Sequence, residues 1–268
     1  MSIKIRDLNY TYMRGTPYEW QAIRGVSVEI AAGTITGVVG NTGAGKSTLL
    51  KLIAGLLVAD SSEAVEAQGL VGVAFQFPEQ QLFAPTVAED ILYGADNYSV
   101  PRKEAVERMS QLLEAFGLPI EQYGELSPFA LSGVEQRKVA LAGILIYEPE
   151  IILLDEPFAG LDMTAVRELT KIIKELQTAG KTVIIVSHSM DRLAGLADRI
   201  LIMNDGQVVA DATPEAIFAQ PELLVRNNLE VPILTKLIQT ANIRYGLTIP
   251  LNLYELAEIE EYLQGSIE

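Results

Sequence analysis

The sequence contains no cysteine and a single histidine, His188. Disulfides, thiolate chemistry and cysteine-bound zinc are therefore excluded, as is a metal site built from several imidazoles. Any metal must be held by oxygen. Basic residues are also scarce, with 20 Lys and Arg against 35 Asp and Glu and a formal charge of −15. Neutralising nucleic-acid phosphates needs clustered Lys and Arg, so no nucleic-acid partner is expected, and docking onto anionic lipid is disfavoured for the same reason. No apolar run approaches the roughly 20 residues of a spanning helix. The opening MSIKIRDLNY lacks the regions of a signal peptide. These absences predict a cytosolic chain whose partners are proteins or small molecules. What is present is 268 residues with 49% hydrophobic content, enough for one large domain with an appendage.

Runs rich in Val and Ile recur at Thr34 to Val39, Leu70 to Gln76, Ile151 to Asp155 and Thr182 to Ser187, with helix-like segments between them. That alternation predicts an α/β fold with a mainly parallel sheet. From Asp162 to Ala179, the residues Val166, Leu169, Ile172, Ile173 and Leu176 fall at helical spacing, with Asp162 as N-cap and Gly180 just beyond. Between about residues 86 and 149 the strand signal disappears, and Pro101 opens a helix with Val106, Met109, Leu112, Leu113 and Phe116 on one face. An inserted helical subdomain is expected there. Asn204, Asp205 and Gly206 sit between two apolar runs and predict a hairpin that closes a main domain over residues 1–212. Residues 213–268 read as a small C-terminal helical region with three basic and eight acidic residues, expected to pack subunit against subunit through apolar clusters around Val231 to Ile238 and Leu251 to Tyr262.

The strongest chemical signal is GNTGAGKS, Gly40 to Ser47, which follows the strand-like TITGVV and precedes a helical run. This is the context of a P-loop. Glycines at 40, 43 and 45 let backbone N–H groups approach phosphate oxygens, and the helix N-terminus adds favourable partial charge. The nucleotide-binding set is Gly40, Asn41, Thr42, Gly43, Ala44, Gly45, Lys46, Ser47 and Thr48, with Lys46 on the terminal phosphates and Ser47 on Mg²⁺. A second strand, EIILLDE, ends in Asp155 and Glu156. An acidic strand end alone is most often a solvated terminus. Beside a P-loop it suits Asp155 to the Mg²⁺ shell and Glu156 to polarising the water that attacks the γ-phosphate. Gln76, a candidate Mg²⁺ ligand, and His188 also end strands, and ligands of open parallel sheets lie beyond such carboxyl ends.

Together with LSGVEQRKVALA at 131–142, these residues resemble the ABC ATPase family, over nearly the whole chain. The resemblance implies a P-loop NTPase core with N-terminal β elements, ATP and Mg²⁺ as cofactors, and two subunits that sandwich ATP head to tail. It implies that Ser132 and Gly133 of the signature act on the other subunit's nucleotide. By the same resemblance Gln76 is the Q-loop residue, Asp162 lies in the D-loop, His188 is the switch histidine and Tyr12 stacks on adenine, with Tyr10 and Tyr18 nearby.

Finer features, YTYMRGTPYEWQA, FQFPEQQLF and ATPEAIF, resemble the ATPase subunits of energy-coupling-factor transporters, and GTPYE the second ATPase type of the pair. That implies a peripheral protein on the cytosolic face of the cell membrane. Its partners would be a second ATPase subunit, a transmembrane coupling protein and a membrane protein that binds a vitamin or other micronutrient. Other expectations are the ATPase of another importer, or an ABC ATPase outside transport. Val134 stands where the family has a second signature glycine, and would be strained if that position needs positive φ. FPEQQLF reads either as local core or as part of a groove for a cytosolic helix of the membrane protein, with Glu79 and Gln81 as exposed polar positions.

Overall fold

Strand β1, Ile3–Tyr12, pairs antiparallel with β2, Trp20–Ile30, in the register Ile5↔Val28 and Tyr12↔Trp20. Strand alternation turns Ile3, Ile5, Val26, Val28 and Ile30 to the buried side. β3, Ile35–Gly40, is buried at all six positions, as expected of a strand covered on both faces, and it leads through the glycine-rich turn into α1, Lys46–Ile53. β4, Val65–Ala67, adds to the free edge of β1. The computed structural model describes residues 2–61 and 63–265.

β5, Val71–Ala74, is followed by four helices: α2, Val87–Asn97; α3, Arg102–Ala115; α4, Ile120–Tyr123; and α5, Gly133–Leu145. Then come β6, Ile151–Asp155; α6, Met163–Thr178; β7, Thr182–Val186; and α7, Met190–Ala194. The hairpin strands β8, Arg199–Asn204, and β9, Gln207–Ala212, precede the last helices. These are α8, Pro214–Phe218; α9, Pro221–Arg226; α10, Ile233–Tyr245; and α11, Leu256–Gly265.

The chain divides into two compact units. One is Gln68–Val183; the other joins Ser2–Ala67 to Ile184–Glu268. In the first, β5 and β6 pair in parallel with Val71 opposite Ile151 and Ala74 opposite Leu154, and all five residues of β6 are buried. Helix α6 begins where the sequence predicts, because the Asp162 carboxylate accepts a hydrogen bond from the Ala165 N–H at 2.9 Å and caps it. Helix α3 buries Met109 and Leu113, and Phe116 at its end, as expected, but Val106 is 41% exposed and Ala105 takes its place on the buried face.

In the second unit β3 and β8 run parallel, and β8 turns into antiparallel β9. Asp205 and Gly206 take φ of +47° and +78°. Two left-handed residues in succession make the tight turn whose twist suits a hairpin. Beyond it, α8 buries Ile217 and Phe218 completely. Further on, Ile238, Ile249 and Ile259 form a separate small core with Leu234, Leu253 and Tyr262 against it. Asn242 closes that core's long turn by exchanging two hydrogen bonds with the Ile249 backbone, at 2.8 and 2.9 Å. No described helix is long and apolar enough to cross a membrane.

Candidate functional site

The P-loop is built by the second unit. Its three glycines are all left-handed or near it, with φ of +150° at Gly40, +82° at Gly43 and +98° at Gly45. They do not serve one purpose. A Cβ on Gly40 would stand 2.2 Å from the carbonyl oxygen of Met203, and one on Gly45 would stand 2.6 Å from that of Ala22. A Cβ on Gly43 would meet nothing within 4 Å. Gly40 and Gly45 are thus demanded by the fold's own backbone, while the space over Gly43 is open. The Lys46 ammonium donates to the carbonyl oxygens of Gly40 at 2.7 Å and Asn41 at 2.9 Å, so the cation is held over the loop.

Two other expected residues sit in the same unit. The Tyr12 hydroxyl lies 3.3 Å from the Thr48 hydroxyl at the start of α1, which sets this tyrosine beside the P-loop helix. Its ring stacks on Trp20 at 5.8 Å and 8°, with Tyr10 edge-on at 4.8 Å. Tyr18, by contrast, is 79% exposed. His188 follows the carboxyl end of β7 and is exposed. Ser187, just before it, is buried and donates its N–H to the carbonyl of Val38 on the P-loop strand at 3.1 Å.

The first unit carries the carboxylates and the signature. The register Ala74↔Leu154 brings Gln76, Asp155 and Glu156 to the carboxyl ends of adjacent parallel strands, with Asp155 the last residue of β6, so these three share an edge as expected. Asp155 is 8% exposed. Glu156 takes φ +50°, and Phe77, directly after Gln76, takes φ +58°. Both are non-glycine residues in the left-handed region. β5 ends at Ala74, two residues before the expected Gln76.

Ser132 caps α5 in a reciprocal box with Glu135. Its N–H and hydroxyl donate to the Glu135 carboxylate at 2.8 and 2.7 Å, and the Glu135 N–H donates back to the Ser132 oxygen at 3.4 Å. These Ser132 bonds, with help from the Tyr123 hydroxyl, hold the Glu135 carboxyl below the usual glutamate range despite some burial. Gly133 is exposed, and a Cβ there would meet nothing within 4 Å. Val134 lies inside α5 and is not among the positive-φ residues, so the strain considered for it does not arise. Its side chain lines an apolar cleft with Leu141, Leu161, Ala165 and Leu169.

One residue escaped the sequence reading of roles, and it changes the reading of another. Arg137, on the second turn of α5, is 5% exposed. It forms a two-pronged ion pair with Glu79, Nε to Oε2 at 3.0 Å and Nη2 to Oε1 at 2.8 Å. Glu79 is therefore not the exposed polar position expected: its side chain retains 17% exposure. Burial by itself would raise its carboxyl, but the Arg137 hydrogen bonds and charge outweigh that and lower it. The available signal was a charge on an apolar stripe, since Arg137 precedes Leu141 and Leu145 at i+4 and i+8, all buried.

A family model described as ABC transporter matches residues 23–159. Among curated relatives, an energy-coupling factor transporter ATP-binding protein EcfA2 from Latilactobacillus sakei is 39% identical, over 96% of this chain and 94% of its own length. One of the same name from Streptococcus sanguinis is 39% identical over 88% and 90%. Among solved structures, CbiO1 from Clostridium perfringens, part of the ABC transporter complex CbiONQ, is 31% identical with a TM-score of 0.72, covering 88% of this chain and 98% of its own. A dimeric ATP-binding cassette in a post-hydrolysis state, bound to ADP and Pi, is 26% identical with a TM-score of 0.69, covering 79% and 98%.

Proposed function

The chain belongs to the ABC transporter family, among the ATP-binding proteins of energy-coupling-factor transporters, and on that premise we propose how it hydrolyses ATP and what it drives. The P-loop N–H groups and Lys46 bind the phosphates of ATP, with the nucleotide filling the open space over Gly43. Tyr12 stacks on the adenine. Glu156 takes a proton from a water whose oxygen forms a bond to the γ-phosphorus as the bond to the ADP oxygen breaks. His188 stabilises the γ-phosphate end, and Gln76 orients the same region.

Ser47, Gln76 and Asp155 supply a hydroxyl, an amide oxygen and a carboxylate, the hard donors that Mg²⁺ takes, and a bound Mg²⁺ would neutralise phosphate charge there. Ser132 and the N–H groups at the start of α5 address the nucleotide of a second ATPase subunit. The exposed position of Gly133, with open space where a Cβ would stand, suits that role.

The observation that carries this reading is the shared edge of Gln76, Asp155 and Glu156 in a chain whose P-loop is complete. The work done is uptake of a vitamin or other micronutrient. The partners are the second ATPase subunit, a transmembrane coupling protein and a substrate-binding membrane protein, met on the cytosolic face. Exposed Phe83, edge-on to exposed Tyr93 at 4.9 Å, offers apolar surface for the membrane subunit. Exposed Ile233, Leu237, Ile243 and Tyr245 on α10 offer it for the C-terminal contact between ATPase subunits. The test is Glu156→Gln, which should keep ATP binding and lower hydrolysis by about 10²-fold or more. Lys46→Ala should instead weaken ATP binding itself. Full turnover by the first variant would remove Glu156 from the chemistry.

A further inference from the structure

The guanidinium of Arg137 does more than neutralise Glu79. Besides the two bonds to that carboxylate, Nη1 donates to the carbonyl oxygens of Pro157 at 3.0 Å and Ala159 at 2.9 Å. Its Cζ also lies 5.9 Å from the centre of the Phe77 ring. One side chain thus holds two short stretches at once, one through the Glu79 carboxylate and the other through backbone carbonyls. The first follows Gln76 and the second follows Glu156. Each stretch adjoins a non-glycine residue in the left-handed region, Phe77 in one and Glu156 in the other, a backbone state that side-chain-bearing residues rarely adopt without outside support. The same side chain stands on the helix that Ser132 caps.

We propose that Arg137 is a positioning residue for ATP hydrolysis: by binding Glu79 and the carbonyls of Pro157 and Ala159 at once, it sets Gln76 and Glu156 relative to each other and to Ser132. A shift at any of the three is then transmitted to the other two through rigid hydrogen bonds instead of through mobile loop. Arginine is required because its planar fork can hold a carboxylate with two nitrogens and still offer another to carbonyls. A lysine ammonium is a single point charge and cannot keep all four contacts. The alternative is a pair that only stabilises the unit, and the two differ in what they predict for turnover.

The inference rests on Glu156 as the base, so Glu156→Gln is the control. The experiment uses the full chain purified with its copurifying membrane subunits, and compares Arg137→Lys with the double variant Arg137→Met, Glu79→Met. Removing both members of a buried ion pair strands no charge, so the double variant should melt close to the parent. Because the P-loop is untouched, KM for ATP should stay within about twofold, whereas loss of alignment should lower kcat at least about tenfold, with 10²-fold as the scale of an ångström misplacement. Arg137→Lys should show the same split and fail to rescue kcat. Should the double variant melt early, Arg137→Lys, which leaves Glu79 compensated, decides between the same two outcomes. Parental kcat in the folded Arg137 variants, with hydrolysis lost in Glu156→Gln, would overturn the positioning role alone. Parental hydrolysis in Glu156→Gln would overturn the base assignment and this inference with it.

Discussion

Replacing Gly45 and Gly43 by alanine, one at a time, separates a glycine the fold needs from one left free for a ligand. At Gly45 the backbone has φ +98°, and a Cβ would lie 2.6 Å from the Ala22 carbonyl oxygen and 3.0 Å from Ile23 Cδ1. The left-handed conformation costs alanine about 1–2 kcal/mol. Forcing a methyl against a backbone carbonyl, which cannot swing aside, adds about 1–3 kcal/mol. The total of about 2–5 kcal/mol should lower Tm by about 4–20 °C in a chain of this size. Gly43 has φ +82° but nothing within 4 Å of a Cβ, so only the conformational cost of about 1–2 kcal/mol applies there. Thermal unfolding followed by circular dichroism without nucleotide should therefore rank Gly45→Ala below Gly43→Ala, and both below the parent. ATP titration adds the second half: the Gly43 methyl would occupy the phosphate space and weaken binding at least about tenfold, or about 1.4 kcal/mol. Equal melting of the two variants would refute the close-approach argument. Parental ATP affinity in Gly43→Ala would show that the open space is not where phosphate sits.

Glu79→Ala should destabilise by about 3–5 kcal/mol, since it strands the buried Arg137 cation, whereas Gln81→Ala at an exposed position should change stability by under about 0.5 kcal/mol; urea melts check both. The lowered Glu79 carboxyl has its ordinary value at 4.5. Its stabilisation is thus full above that pH and fades as pH falls through the lower folded value, so Glu79→Gln should lose less stability than the parent as pH falls below the ordinary glutamate value. A chain cut after Val231 keeps Ile217 and Phe218 of α8 but loses the core of Ile238, Ile249 and Ile259. It should associate more weakly without nucleotide in sedimentation, and undiminished association would refute the C-terminal contact.

Much of the site was readable because its signals are local. The P-loop is eight contiguous residues whose work is done by backbone amides, and its strand and helix flanks lie within a few residues on each side. Asp162 caps α6 from three residues away, and Asp205 with Gly206 make a turn by their own backbone preferences. The carboxylate pair was legible because β6 is an uninterrupted apolar run that ends abruptly in charge. The helices after residue 213 were anticipated, but α8 packs against both strands of the hairpin, which short-range periodicity does not reveal.

The sequence by itself determined the local chemistry of this protein: which residues can cradle phosphate, which carboxylates end a buried strand, and where helices and turns begin. Only the tertiary structure decided how that chemistry is held. Gly40 and Gly45 are indispensable because carbonyls of Met203 and Ala22, distant in the chain, press on them, while Gly43 is identical in composition and under no such pressure. Arg137 and Glu79 are 58 residues apart. Neither residue's own segment shows periodicity or turn chemistry that points to the other. Their pairing arises when α5 packs its buried face against the turn after β5, where a charge removed from water must find its opposite.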